Sequence, residues 1–347
     1  MHSEHLKTVA VWLLSVAALV FLMIVLGGVT RLTESGLSMV NWHPVTGWLP
    51  PLDEAAWEQV FAQYRRSPEY HKVNAGMTTG EFKSIFWLEY LHRLLGRIIG
   101  IAFFVPMIVF AAKGWIRGSL LIKVIGLFIL GGLQGVLGWY MVKSGLVDRP
   151  DVSQYRLAAH LALALVILAT VLWVALGLLK PNPINAPGGA SVNRRLGCGV
   201  WALLILISVT ILSGAFVAGL DAGFVYNTFP LMDGEWVPDG LWDLSPSYLN
   251  IFENIITVQF DHRVLAISVL ITVGIFHWWS GRVQLTASQR LSTRALLAAA
   301  LVQVGLGIST LVLGVPVPLA ALHQAGAVVL LAVTIWLAHE LRTAGGT

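Results

Sequence analysis

Eight apolar stretches of about 20 residues mark the chain, near 9–28, 88–112, 119–142, 155–179, 199–220, 254–279, 294–314 and 317–338. As helices, runs of that length span the hydrocarbon core of a bilayer. The intervening polar segments are short, apart from one after the first run and one after the fifth. The pattern predicts an all-α polytopic membrane protein with eight transmembrane helices. The first run is too long for a signal-peptide core and lacks a small-residue cleavage site, so it reads as a retained span. Composition agrees: 56% of residues are apolar and 12% charged, against roughly a quarter charged in soluble domains.

Charge orients the spans. Place the N-terminus, the C-terminus and the connections after the second, fourth and sixth spans on one side. That side then holds Lys7, Lys113, Arg117, Lys123, Lys180, Arg194, Arg195, Arg282, Arg290, Arg294 and Arg342. The connection after the fifth span has no Lys or Arg and carries acidic residues from Asp221 to Glu253. Both termini are therefore expected in the cytoplasm, while the long first loop translocates despite Arg65, Arg66 and Lys72. The net charge of +4 follows from this bias and gives no reason to expect nucleic acid. Cys198, the single cysteine, excludes an intrachain disulfide, a thiolate cluster or a covalent Cys-x-x-Cys-His haem attachment. It reads as a small packing residue.

The polar landmarks repeat after a Pro/Gly/Asn-rich stretch, Pro181–Asn193. Gly28, Asn41 and Pro44 return as Gly214, Asn227 and Pro230, each shifted by 186. His92 returns as His262, shifted by 170, and His160 as His323, shifted by 163. Gln134-Gly135-Val136-Leu137-Gly138 returns as Gln303-Val304-Gly305-Leu306-Gly307, shifted by 169. Offsets that change only where loops differ in length indicate a duplicated four-helix unit, with both copies in the same orientation. The expected organisation is an up-down bundle over 1–180, a cytoplasmic linker over 181–198 and a second bundle over 199–347. The outer loops contain Trp42, Trp48, Trp57, Trp236 and Trp242, which suit the headgroup level or act as lids; some are read as lids.

Chemistry concentrates at Phe86-Trp87-Leu88-Glu89-Tyr90-Leu91-His92-Arg93, answered in the second copy by Gln259-Phe260-Asp261-His262-Arg263. Ionisable groups at a span are functional candidates by default. His92, His160, His262 and His323 fall about five to seven residues in from the outer ends of their spans, a depth of about 7–10 Å. His277 and His339 lie at inner helix ends, where headgroups are expected. Neutral imidazoles suit zinc, copper, iron or haem. Zinc wants further protein ligands, of which the second half offers few, Asp261 pointing off the face of His262, whereas two axial imidazoles suffice for haem. The pattern predicts two bis-histidine haem sites. Arg93 and Arg263 are placed to pair with propionates, and Gln134 and Gln303 are counted with the cofactor-binding residues. Gly131, Gly132, Gly135, Gly138, Gly305 and Gly307 would admit a flat macrocycle or, alternatively, close helix packing. Glu89 is matched by Gln259, and an amide cannot exchange a proton as a carboxyl does. Chemistry is therefore assigned to the first half and electron storage or transfer to the second. The alternative is that Glu89 only pairs with Arg93 one turn away.

With Gly80-Glu81-Phe82-Lys83 leading into the Glu-Tyr-x-His-Arg motif at 89–93, the twofold bundle and the four histidines, the chain closely resembles the haem A synthase family over nearly its whole length. The resemblance implies oxidation of a ring methyl of haem O to the formyl group of haem A, through a hydroxymethyl stage, for terminal oxidases. It implies haem O between His92 and His160, a resident haem b between His262 and His323, and Glu89 as the essential catalytic group. It implies supply of haem O by the farnesyltransferase that makes it. Some members carry a cysteine pair in an outer loop. This chain has none and looks like the cysteine-lacking branch of proteobacteria and mitochondria. Its short N-terminus favours a bacterial inner membrane, with the haem sites towards the periplasm.

The rival from another class is a di-haem b electron-transfer protein without substrate chemistry. It accounts for four histidines but not for Glu89 against Gln259, and would usually put its haems towards opposite faces. A haem exporter or chaperone is disfavoured by two fixed ligands per haem. The oxygen source, the electron partner and the oligomeric state, a homo-oligomer included, stay open at this point.

Overall fold

A computed structural model describes residues 2–41, 47–145, 152–182, 186 and 189–342. Trp42, His43 and Pro44 lie outside the described residues, as does part of the linker. The helices in chain order are α1 (His2–Leu32), α2 (Glu54–Tyr64), α3 (Pro68–Lys72), α4 (Thr79–Ala112), α5 (Gly118–Gly145) and α6 (Gln154–Leu179). They continue as α7 (Ala190–Gly219), α8 (Asn250–Glu253), α9 (Ile255–Ser280), α10 (Ala287–Val312) and α11 (Val317–Glu340). Eight of them, α1, α4–α7 and α9–α11, are long and apolar enough to cross a membrane. No β-strand occurs among the described residues. The chain is an all-α, multi-pass membrane protein, as hydropathy predicts.

Several helices outrun their apolar runs because polar caps start them early. α4 begins at Thr79 and not near 88. Thr78 Oγ1 accepts the N–H of Glu81, whose carboxylate accepts the N–H of Thr78, a reciprocal capping box. His92 thus lies about twice as far from the start of its helix as His160, His262 and His323 do from the starts of theirs. Thr286 and Gln289 form the same box on α10, which begins at Ala287 and not near 294.

The N-terminal extension of α4 is held by α2 and α3, two helices that the hydropathy pattern does not reveal. Asp53 caps α2 by accepting the N–H of Ala56, and Ser67 caps α3 by accepting that of Tyr70. Trp57, Phe61 and Tyr64 from α2 pack with Phe82, Phe86 and Tyr90 of α4 in one buried aromatic cluster. Trp57 meets Phe86 edge-on at 5.0 Å, a geometry aromatic quadrupoles favour. Trp57 is therefore buried against α4, whereas Trp236 and Trp242 in the second long loop are exposed. That loop is braced by Asn250 and Asn254. Asn250 bonds both backbone groups of Leu244, and Asn254 donates to the Gly240 carbonyl and to Asn250.

The chain divides into two compact units, residues 18–167, and residues 1–17 with 168–347. In the second unit His339 is buried, not at the headgroups as expected. Its ring stands edge-on to Trp173 at 5.4 Å, and Arg342 Nη1 lies 2.9 Å from its Nδ1. Lys180 Nζ pairs with the neighbouring Glu340 at 2.5 Å. Cys198 is exposed, so the packing role expected of it is not observed.

Candidate functional site

In the unit of residues 18–167, the polar residues of α4 face the segment that follows α1. Glu89 is 2% exposed. Its Oε2 accepts the Ser38 hydroxyl and the Met39 N–H, both at 2.7 Å, and its Oε1 accepts Arg93 Nη2 at 2.5 Å. Arg93 also donates to the carbonyls of Met39 and Asn41 at 2.8 and 2.9 Å. The ion pair weighed against catalysis for Glu89 is therefore formed, with two further donors besides. Arg93, expected to meet a propionate, is occupied in holding residues 39–41. The phenol of Tyr90 donates to the carbonyl of Trp48 at 2.6 Å.

The two histidines of this unit lie against glycines. A Cβ on Gly27 of α1 would lie 3.2 Å from His92 Nε2, and one on Gly138 of α5 would lie 3.1 Å from His160 Cε1. Gln134, one turn before Gly138, donates its amide to the His160 carbonyl at 3.0 Å. His160 Nδ1 and Gln134 Oε1 are both buried without a hydrogen-bond partner. Two orphaned atoms of this kind fit an imidazole whose protonation and tilt are completed by a bound group.

The other unit repeats the plan. Gly214 of α7 lies against His262 (3.1 Å to Cε1) and Gly307 of α10 against His323 (2.8 Å to Cε1). Arg263 donates to the carbonyls of Tyr226 and Thr228 at 2.7 and 2.8 Å. Here no carboxylate completes the arrangement. Gln259, 2% exposed, instead donates to the Tyr226 carbonyl at 3.0 Å. Gly27, Met39 and Asn41 thus correspond to Gly214, Tyr226 and Thr228, a shift one position longer than the sequence alignment of Gly28 with Gly214 implies. The Gly27-Gly28 doublet hid the difference.

His262 and His323 approach each other with ring centroids 6.4 Å apart and planes at 89°. His262 and His323 are the residues that would hold one metal between them, since bonds of about 2.0–2.1 Å to each ring call for a separation of about this size. Ser213 supports this use. Its hydroxyl donates to the Thr210 carbonyl, so it accepts the Nδ1–H of His262 at 2.8 Å. That fixes the proton on Nδ1 and leaves the Nε2 lone pair for a metal. Gln303 donates to the His323 carbonyl at 2.9 Å and lies 3.0 Å from its Nδ1. Gln303 thus touches the His323 ring, whereas Gln134 bonds only the backbone of His160. Gly131, Gly132, Gly135 and Gly305 are exposed and meet no atom within 4 Å, so the close helix packing weighed for them is not seen.

Sequence reasoning missed Ser38, Ser213 and Gly27, although Ser213-Gly214 beside the repeat was a readable signal. It also passed over Glu69 of α3, which is 4% exposed with its Oε2 unpartnered.

Comparison with known proteins adds a second line. A family model described as cytochrome oxidase assembly protein, COX15-CtaA, matches residues 10–335. A protein of Nitrosospira multiformis named haem A synthase is 52% identical over 339 residues, covering 97% of this chain and 94% of its own. The Parvibaculum lavamentivorans protein of the same name is 49% identical over 96% of this chain and 94% of its own. Human haem A synthase COX15 is 46% identical over 97% of this chain and 83% of its own. With histidine, arginine and glycine contacts repeated in both units and a match from residue 10 to residue 335, this chain belongs to the COX15-CtaA family of cytochrome oxidase assembly proteins.

Proposed function

We propose that this protein is a haem A synthase, an oxidoreductase that converts a ring methyl of haem O to the formyl group of haem A through a hydroxymethyl stage. The name carried by relatives at 46% and 52% identity supports the reading. The observation that carries it is the difference between two otherwise matched sites: a carboxylate at Glu89 where the second site has Gln259. His92 and His160 take the substrate haem O, and His262 and His323 hold a resident haem b. Bound there, haem b supplies one-electron redox capacity. Glu89 is a general base beside the reacting methyl. Its carboxylate, oriented by Ser38, Met39 and Arg93, accepts protons released in the oxidation and stabilises positive charge developing at that carbon. Arg93 keeps the Glu89 carboxylate aimed and closes the outer segment over the site.

The same reading makes residues 1–180 and 199–347 duplicated bundles joined by 181–198, with the shared offset of matched contacts as support. It takes the membrane to be a bacterial inner membrane with the haem sites towards the periplasm, and the distribution of Lys and Arg supports termini in the cytoplasm. Extraction and chromatography of the pigments of the purified protein test it. Haem O and haem A beside haem b are expected; haem b alone would favour the di-haem carrier. Glu89→Gln should keep both haems and abolish turnover, and an active variant would remove Glu89 from the chemistry.

A further inference from the structure

The lid over the first site contains a second acid that the chemistry described above does not use. Glu69 sits on α3, in the loop that joins α1 to α4, and is 4% exposed. Its Oε2 is buried with no hydrogen-bond partner. Among the described residues no ion pair neutralises it. An acid in that condition is expensive to keep ionised, and its persistence asks for a use. The groups whose charges reach it are Glu89 on α4 and Glu34 in the turn after α1. Tyr64 on α2, fully buried, is within reach of all three acids. Its hydroxyl accepts the Asn74 amide at 2.7 Å. Glu89 and Glu69 are buried and Glu34 is exposed, so the three acids include two in the interior and one at the surface of this unit.

We infer that Glu69 is a proton-relay residue, taking protons from Glu89 during methyl oxidation and passing them outward past Glu34 to water. The inference rests on the haem A synthase reading and deepens it. Each transfer is a proton movement alone. The Glu89 carboxyl loses its proton and returns to a carboxylate, the ionised Glu69 gains it, and Glu69 then releases it to water at the lid surface. No bond to carbon changes, and the electrons leave separately through the oxidation itself. Burial, and then the negative charges of Glu89 and Glu34, push the Glu69 carboxyl up to about 8. Three donors, from Arg93, Ser38 and the Met39 backbone, surround the Glu89 carboxylate, whereas Glu69 Oε2 meets none. A proton delivered to Glu89 therefore displaces hydrogen bonds that its passage to Glu69 restores. The relay needs Glu69 ionised, and that ionised fraction grows as pH rises towards 8.

The test uses the full-length purified protein with its haems bound, as wild type, Glu69→Gln and Glu69→Asp. Infrared difference titration follows the stretching band of a buried, protonated carboxyl; haem O turnover is measured across the same pH range. Wild type should show a carboxyl band lost near pH 8 and turnover that rises over that interval. Glu69→Gln should lose the band, keep its haem content and lose the rising limb. Its rate should fall about 10-fold, less than the roughly 10²–10⁴ of a group acting on the substrate directly. Glu69→Asp should restore both the band and the limb, which a merely structural role would not require. If wild type turns over haem O and Glu69→Gln matches it in rate and pH profile, the relay is overturned and the synthase stands. If wild type turns over no haem O at any pH, the synthase reading falls and takes the relay with it.

Discussion

Replacing Gly307 with alanine is the sharpest probe of the second site. A Cβ there would lie 2.8 Å from His323 Cε1, where ordinary contact begins near 3.4 Å. The imidazole must yield by about 0.6 Å, whereas a metal–nitrogen bond tolerates about 0.2 Å. Without a metal the ring can swing aside, so the strain falls mainly on the ligated state. Overpacking of this kind costs about 1–3 kcal/mol, equivalent to about a 5- to 150-fold loss of haem affinity. Gly305→Ala is the control. It lies two positions earlier on α10 with no atom within 4 Å, and should keep haem b while gaining about 0.5–1 kcal/mol of helix stability. The assay is haem b content of purified protein together with its low-spin bis-imidazole absorption spectrum. Full haem b and an unchanged spectrum in Gly307→Ala would show that His323 does not bind iron from this position.

Ser213→Ala removes the acceptor of His262 Nδ1–H and should weaken haem b binding about 10–100-fold in titration of apoprotein; unchanged affinity would mean that Ser213 does not set the tautomer. Thr78→Ala breaks the capping box of α4 and should cost about 1 kcal/mol, read as faster amide exchange confined to the first turns of α4, and uniform protection would contradict it. The lid should loosen with rising pH. Glu69 binds its proton more tightly in the folded chain (about 8) than at its ordinary value of 4.5, so its contribution is complete below pH 4.5, declines between 4.5 and 8, and is gone above. Exchange of α2 and α3, corrected for intrinsic rates, should show more opening well above that interval than near its lower end, and Glu69→Gln should flatten the trend.

Hydropathy exposes the eight spans because a long unbroken apolar run has few other uses. It fails where polar chemistry extends a helix beyond the lipid. The start of α4 is set by Thr78 and Glu81, and an apolar window cannot register a capping box. The lid helices were legible in principle: Asp53 caps a segment whose Trp57, Phe61 and Tyr64 recur at helical spacing. Trp57 also fits the headgroup level, and that reading competes for the same residue. His339 was misplaced because its partner Trp173 sits on α6, far away in sequence, and nothing local announces the contact. The candidate histidines were found through their repetition, but their supports were not. Gly27 is indistinguishable from Gly28 on paper, and Ser213 resembles any other serine in a membrane helix. Arg93 and Arg263 were assigned to propionates because arginine near a haem ligand suggests a free cation. Both guanidinium groups also hold carbonyls of the chain itself, which nothing in the sequence announces.

The guanidinium of Arg263, seated on carbonyl oxygens beside a neutral amide, has a consequence for how Glu89→Gln should be interpreted. The molecule already contains that replacement at the matching position of its other unit, Gln259, in a helix that folds around it. Position 259 reverses the direction of its bond to the facing stretch of backbone, giving a hydrogen where position 89 receives one. Loss of turnover in the variant can then be charged to the missing proton acceptor and not to a collapsed pocket.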